Sequence, residues 1–286
     1  MYVVAGVTGN TGSIVAEELL QRGHQVRAIV RDVGKGERWK AMGAEVAVTS
    51  LADAKGLAEV LSGAKGAYLL NPPDMTISDF RARATEIGDA FTTAIRDSGV
   101  PQIVFLSSIG AQHDSGVGPI AGLHLIEKKL EGLGIGETLL RPAYFLENWG
   151  VSLGNAVSEG VLPSFLPENF RFPQVATRDI GRLAADALEN PPRGISVLEI
   201  SGPEDYTPAD IARAVGSIAG REVTVGVGPI EAVIPTFTSF GASEHVASLF
   251  REMYEGMVNG RISWDGSGQR IRGTTTPAEV FAPMLR

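Results

Sequence analysis

Short apolar runs rich in Val, Ile and Leu alternate with stretches of helical period through the first half of the chain. Tyr2–Ala5, Gln25–Val30, Glu45–Thr49, Ala67–Leu70, Gln102–Ser107 and Glu137–Leu140 read as strands. They lack strict polar alternation, which predicts strands covered on both faces. Phe80, Ala84, Ile87, Phe91 and Ile95 recur at spacings of 4, 3, 4 and 4. They predict a helix over 78–98 with one core-facing stripe, closed by Gly99 and Pro101. Repeated strand–helix units mean a doubly wound parallel sheet with right-handed crossovers. In such α/β folds ligands sit beyond the carboxyl ends of the strands.

Beyond Pro142 the character changes. Gly and Pro become frequent and the helices shorter. Val197–Ile200 reads as one more strand, and Pro208–Ala219 and Glu244–Val258 as helices. In the last of these Val246, Phe250, Met253 and Met257 share a stripe, which serves a core or an interface and leaves a homodimer open. The expected division is a doubly wound first domain over residues 1–150 and a smaller C-terminal α/β portion over 151–286, with some segments returning to the first sheet.

Chemistry is expected just after the strands. The first breaks into Gly6-Val7-Thr8-Gly9-Asn10-Thr11-Gly12 and then a helical pattern, with Val15/Leu19 and Ala16/Leu20 as i,i+4 pairs. Free backbone amides and the helix dipole make such a turn a pyrophosphate site, provided no Cβ blocks the approach; the alternative is a glycine turn that binds nothing. Arg31-Asp32 follows the second strand. A guanidinium there pairs with a 2′-phosphate and favours NADP(H) over NAD(H), unless it is merely a solvated strand end. Asp53 either approaches adenine or caps the next helix. Asn71-Pro72-Pro73 is stiff and extended; it lies against the nicotinamide ribose or is only a rigid loop. Ser107-Ser108-Ile109 aims a hydroxyl into the cleft, toward a substrate carbonyl or a nicotinamide. Tyr144, Phe145 and Trp149 form a ring-binding wall or pack the C-terminal portion. His124 and Lys128 lie four residues apart, opposite the stripe Leu123, Ile126, Leu130 and Leu133. Periodicity alone sets them toward water, in a mixed-charge run with Glu127, Lys129 and Glu131.

Composition narrows the classes. A 286-residue chain that is 44% hydrophobic can bury a sizeable core. Its net charge of −8 disfavours nucleic-acid binding. With no cysteine there is no disulfide, thiolate zinc site or cysteine nucleophile, and no metal site is expected. The first apolar run is only strand-length, and no stretch approaches the ~20 apolar residues of a membrane span, so a cytoplasmic location is expected.

Taken in order, Gly6–Gly12, Val30-Arg31-Asp32, Leu106-Ser107-Ser108, Leu140–Trp149, Ala176-Thr-Arg-Asp179-Ile-Gly and Ser201–Pro208 resemble the NmrA-like family of atypical short-chain dehydrogenase/reductase proteins. Within it the chain looks most like the bacterial branch of type-2 NAD(P)H quinone oxidoreductases and azoreductase-like proteins. The resemblance implies a Rossmann domain over residues 1–150, with NADP(H) held between the glycine turn, Arg31, Asn71-Pro72, Ser107 and Tyr144-Phe145, and a substrate-binding role for the smaller C-terminal portion over 151–286. Lys128 falls at the lysine of the superfamily's Tyr-x-x-x-Lys pair, which grips the nicotinamide ribose, and His124 falls at the tyrosine place. None of the five tyrosines has a Lys four residues later, so the usual proton donor of carbonyl reduction is missing. The expected activity is hydride transfer to a quinone or similar electron-poor aromatic acceptor. Lys128, His124 and Ser107 are the expected catalytic set, and Ile109, Phe145 and Trp149 shape the acceptor pocket. The alternatives are a cofactor-sensing regulator without turnover, and an NADP-dependent reductase or isomerase of specialised metabolism.

Overall fold

The structure, a computed structural model, describes residues 1–285. The first half runs β1 (Tyr2–Val4), α1 (Asn10–Gln21), β2 (Val26–Val30), α2 (Glu37–Ala41), β3 (Glu45–Val48) and α3 (Ala54–Leu61). It continues with β4 (Gly66–Leu70), α4 (Phe80–Ser98), β5 (Gln102–Leu106), α5 (Ile120–Leu130) and β6 (Gly136–Pro142). The second half begins with β7 (Tyr144–Phe145), α6 (Gly150–Glu159), β8 (Val161–Ser164), β9 (Phe172–Val175), α7 (Thr177–Glu189) and β10 (Ile195–Ser201). It closes with β11 (Asp205–Tyr206), α8 (Pro208–Ala219), β12 (Thr224–Val227), α9 (Val233–Ser239), α10 (Glu244–Val258), β13 (Gln269–Arg272) and α11 (Pro277–Met284).

Eight strands form one parallel sheet in the order β13-β10-β6-β5-β4-β1-β2-β3. The order reverses between β1 and β4, which opens a crevice at their carboxyl ends. Each face of the sheet is covered. On one side Val15, Ala16 and Leu19 of α1, Trp39 of α2, and Ile180, Ala184 and Leu188 of α7 are buried together. On the other, Leu57 and Leu61 of α3 meet the α4 stripe Ala84, Ile87, Phe91 and Ile95, and Ile126 and Leu130 of α5. Two-sided burial explains why these strands read as continuous apolar runs. The close approach of α7 to α1 needs Gly181, where a Cβ would strike Ile14.

The second half does not stay apart. β10, β13 and α7 join the first sheet, and the remainder builds a cap with its own core around Leu146, Trp149, Leu153, Ile211, Val215 and Phe281. Two small sheets, β11-β9-β7 and β12-β8, lie within that cap. Two carboxylates fasten it. Glu147 accepts from the Thr177 amide at 2.9 Å and from its hydroxyl at 2.7 Å, at the start of α7. Asp179 accepts from the amides of Thr274 and Thr275 at 3.0 and 2.9 Å and from the Thr275 hydroxyl at 2.8 Å. The motifs around both residues therefore have an architectural role, in addition to the resemblance they carry.

The charge pattern of α5 needs a correction. Glu127 does not face water with its neighbours. It is buried, and Arg141 of β6 clasps it through Nε at 2.9 Å and a terminal nitrogen at 2.6 Å while also reaching Asp265 at 2.7 Å.

Candidate active site

The glycine turn at the end of β1 shows three different reasons for glycine. Gly6 has φ +65°, a left-handed backbone that side chains rarely adopt. At Gly12 a Cβ would enter the carbonyl oxygens of Ala5 and Gly6, so this glycine lets α1 pack on β1. Gly9 has neither constraint: its φ is −105° and an added Cβ would meet only the Gly6 oxygen, at 3.4 Å. What glycine provides there is open space above the helix N-terminus. No side chain caps α1, whereas Asp53, Asp79, Thr207 and Ser243 cap α3, α4, α8 and α10. Thr8, Gly9 and Asn10 are exposed at this tip, and the first-turn amides are available to an anion. The buried Thr11 hydroxyl accepts from Tyr68 at 2.9 Å.

At the end of β2, Arg31 is exposed and forms no ion pair among the described residues. Asp32 is turned away and caps the short turn Val33–Gly36, accepting from the Gly34 amide at 2.7 Å. Asp53 likewise caps α3, accepting from the Gly56 amide at 3.1 Å. Of the two roles open to it, the cap is the one in place.

The ends of β4, β5 and β6 meet at a cavity of about 560 Å³. Asn71, Ser107, Ile109, Tyr144 and Phe145 all line it, as their positions after strands predicted. Two of its polar atoms are buried without a hydrogen-bond partner, the Asn71 Oδ1 and the Ser107 hydroxyl. Buried polar groups are almost always paired, so two orphans side by side on adjacent strands call for a bound group. With the bare amides of α1 and the space above Gly9, they fit a dinucleotide laid across the switch point, its nicotinamide end in this cavity.

The opposite wall comes from the cap. Phe250, Met253 and Met257, three members of the α10 stripe, face the cavity, together with Tyr254, Phe237 and Phe172. Phe237 stacks on Phe250 at 4.4 Å between ring centroids, and Tyr144 meets Phe172 edge-on at 5.6 Å. The stripe that sequence left between core and interface is thus a pocket wall. Burial pushes the Tyr144 phenol well above its usual range, helped by Tyr254 beside it, and burial raises Tyr254 as well. Both are fully protonated at neutral pH.

Three expected site residues are not among those lining this cavity. Lys128 is 57% exposed and pairs with Glu131 at 2.6 Å. His124 sends Nδ1 to the Ala111 carbonyl at 2.8 Å. Ile120 and Leu123 are the α5 residues that line the cavity; His124 follows Ile120 by one turn with its ring held at the Ala111 carbonyl, and Lys128 lies a further turn along, paired with Glu131. Trp149 is buried in the cap core, its indole donating to Gln174 Oε1 at 2.8 Å, rather than lining the pocket. Sequence reasoning missed Tyr254, Phe237 and Phe172. Tyr254 and Phe237 follow no strand of the main sheet, and no spacing links them or Phe172 to the glycine turn.

The NmrA-like family pattern matches residues 2–269 of this fold. The chain belongs to the NmrA-like family. Among its relatives is an NAD(P)H azoreductase of Xenophilus azovorans, 27% identical over 89% of this chain and 86% of that one. Quinone oxidoreductase 2 of Escherichia coli (strain K12) is 26% identical over 78% and 76%. In three dimensions the NmrA-like fold here superposes on a Citrobacter sp. triphenylmethane reductase complexed with NADP(H), with a TM-score of 0.83 at 21% identity over the whole of both chains. An NADPH-dependent quinone oxidoreductase from E. coli complexed with NADPH gives 0.82 at 23%, again over both whole chains. The two structures establish the shared fold. No helix among the described residues is long and apolar enough to cross a membrane.

Proposed function

We propose that this chain reduces quinones or similarly flat, electron-poor aromatic acceptors with NADPH. That it is an NAD(P)H-dependent oxidoreductase follows from its family and from the activities of its relatives. The finer reading is carried by one observation: an aromatic-walled cavity opens directly onto the orphaned Asn71 Oδ1 and Ser107 hydroxyl. When bound, the dihydronicotinamide supplies the hydride. The chain's own residues hold, orient and enclose. The α1 amides take the pyrophosphate, and Arg31, which forms no ion pair among the described residues, takes the 2′-phosphate. Asn71 and Ser107 orient the carboxamide and ribose end. Ile109 and Phe145 bound the acceptor plane, and the cap excludes water. A pure cofactor sensor has no use for so large an apolar chamber at the nicotinamide end.

The test is a calorimetric titration of the protein and of Arg31→Ala with NADPH and NADH, followed by turnover with quinones and azo dyes. Arg31→Ala is expected to weaken NADPH by ten- to a hundredfold, about 1.5–3 kcal/mol for a charge-assisted contact, and NADH far less. Equal losses for both cofactors would remove the 2′-phosphate assignment. Binding of NADPH without oxidation by any such acceptor would remove the reductase reading.

A further inference from the structure

The superfamily tyrosine is absent, and His124 is not among the cavity-lining residues and has its Nδ1 held by the Ala111 carbonyl, so the acceptor's proton has to come from another group. A quinone takes up a hydride and one further proton on its way to a hydroquinone. The cavity contains few groups that can give one. Glu147 is occupied as an acceptor by Thr177. The Ser108 hydroxyl donates to the Ile109 carbonyl at 3.0 Å. The Ser107 hydroxyl is a weak acid on the cofactor side. Two phenols remain, Tyr144 at the end of the strand layer and Tyr254 on the cap helix α10, and both border the same space.

Their surroundings fix them in place. The Tyr254 ring packs against Phe165 at 5.5 Å and Phe237 at 6.5 Å, and the Tyr144 ring against Trp149 at 6.3 Å and Phe172 at 5.6 Å. Rings held on two sides point their hydroxyls in set directions, which a proton donor needs. The two phenols lie close enough to influence each other's ionisation, and the Asn148 side chain is near Tyr144.

Building on the quinone-reductase reading above, we propose that Tyr254, supported by Tyr144, hydrogen bonds the carbonyl oxygen of the acceptor and delivers its proton. The Tyr254 O–H bond breaks as the acceptor O–H bond forms, the electron pair of the broken bond stays on the phenolate oxygen, and a proton from solvent at the cavity mouth restores it. Tyr144 is a positioning residue that steadies the phenolate by donating to it. The site is thereby matched to acceptors that present an oxygen on a flat ring, and less to those that need only a hydride.

The contrast supplies the experiment. A cationic triarylmethane dye is neutralised by hydride alone, whereas menadione needs the proton too. Full-length protein, Tyr254→Phe and Tyr144→Phe are compared for turnover of menadione and of malachite green with NADPH, and for the carbonyl stretch of menadione bound without cofactor. The menadione-to-dye ratio of turnover is expected to fall at least tenfold in Tyr254→Phe and less in Tyr144→Phe, and the bound carbonyl band, lowered in the parent, to return toward its free position in Tyr254→Phe. An unchanged ratio in Tyr254→Phe overturns the proposal, as does a parent carbonyl band that is not lowered. A parent that reduces neither acceptor sinks the reductase reading, while the carbonyl band still decides whether Tyr254 donates.

Discussion

Gly9 and Gly12 stand three residues apart in one motif and are glycine for opposite reasons, one facing open space at the helix N-terminus and the other facing the protein. The difference can be tested by adding a single methyl group. Gly9→Ala is expected to keep its stability within about 0.5 kcal/mol and to lose at least tenfold in NADPH affinity. Gly12→Ala is expected to lose about 1–3 kcal/mol by overpacking α1 against β1. Thermal denaturation and a fluorescence titration read the two effects, and a pair of variants with equal losses of stability would refute the distinction. At this scale sequence was informative where a residue follows a strand. Asn71, Ser107, Ile109, Tyr144 and Phe145 all reach the cavity because strand ends converge there. Lys128 and His124 were placed by resemblance to a helix position, and such a position does not say how far along the helix the cavity reaches or which neighbour holds the side chain. Tyr254 carries no local signature, since its role arises from a cap helix brought over the site by chain that is distant in sequence.

Helix α5 is pinned to β6 by a buried ion pair instead of the apolar stripe alone. Arg141 without Glu127, or Glu127 without Arg141, leaves a buried charge unpaired. Arg141→Met is therefore expected to cost about 3–5 kcal/mol, and the double variant with Glu127→Leu to recover most of it. Chemical denaturation of the four proteins in the cycle measures this, and simple additivity of the two losses would show that the pair is not coupled. The same pair marks where pattern reading failed among the elements. The helices Pro208–Ala219 and Glu244–Val258 were legible to the residue from Pro, Ser and Gly punctuation, and the stripe of α4 from its period. Glu127 sat in a run of mixed charge that looks solvated, and nothing local signals that a strand fourteen residues on supplies its partner. The short strands of the cap, β7 to β9, β11 and β12, and the edge strand β13 were invisible for a related reason: pairs of two to four residues are set by their partners and not by their own period.

The folded molecule as a whole carries a proton that the unfolded chain releases. Glu137 on β6 is buried at the end of the sheet opposite the cavity, with its Oε2 unpartnered, and burial pushes its carboxyl up to about 7. A raised carboxyl stabilises the fold fully only below its ordinary value near 4.5, and that stability is lost as pH rises toward 7. Between pH 5 and pH 8 the free energy of unfolding is expected to fall by about 1–3 kcal/mol from this group, and Glu137→Gln to flatten that slope and exceed the parent at pH 8. Urea titrations across the range check it, and parallel curves for the two proteins would remove Glu137 as the cause. The long-range plan of the molecule was readable in outline, because alternating strands and helices admit few topologies. That β10, β13 and α7 rejoin the first sheet was legible only as a general expectation of return, since the closing contacts through Asp179 link residues nearly a hundred positions apart.

The start of α10 rests on the loop that leaves β4. The Ser243 amide donates to the Met75 carbonyl at 2.8 Å, its hydroxyl donates to the Ile77 carbonyl at 2.6 Å, and His245 Nε2 accepts the Phe80 amide at 3.2 Å. That loop begins at Asn71, and the helix it holds carries Phe250 and Tyr254. On the proposed reading one anchor point thus serves both reactants, and whoever re-engineers this scaffold for a new dye or drug gains a practical rule: altering the inner side of the helix is expected to change what is accepted, whereas loosening its root is expected to disturb the coenzyme as well.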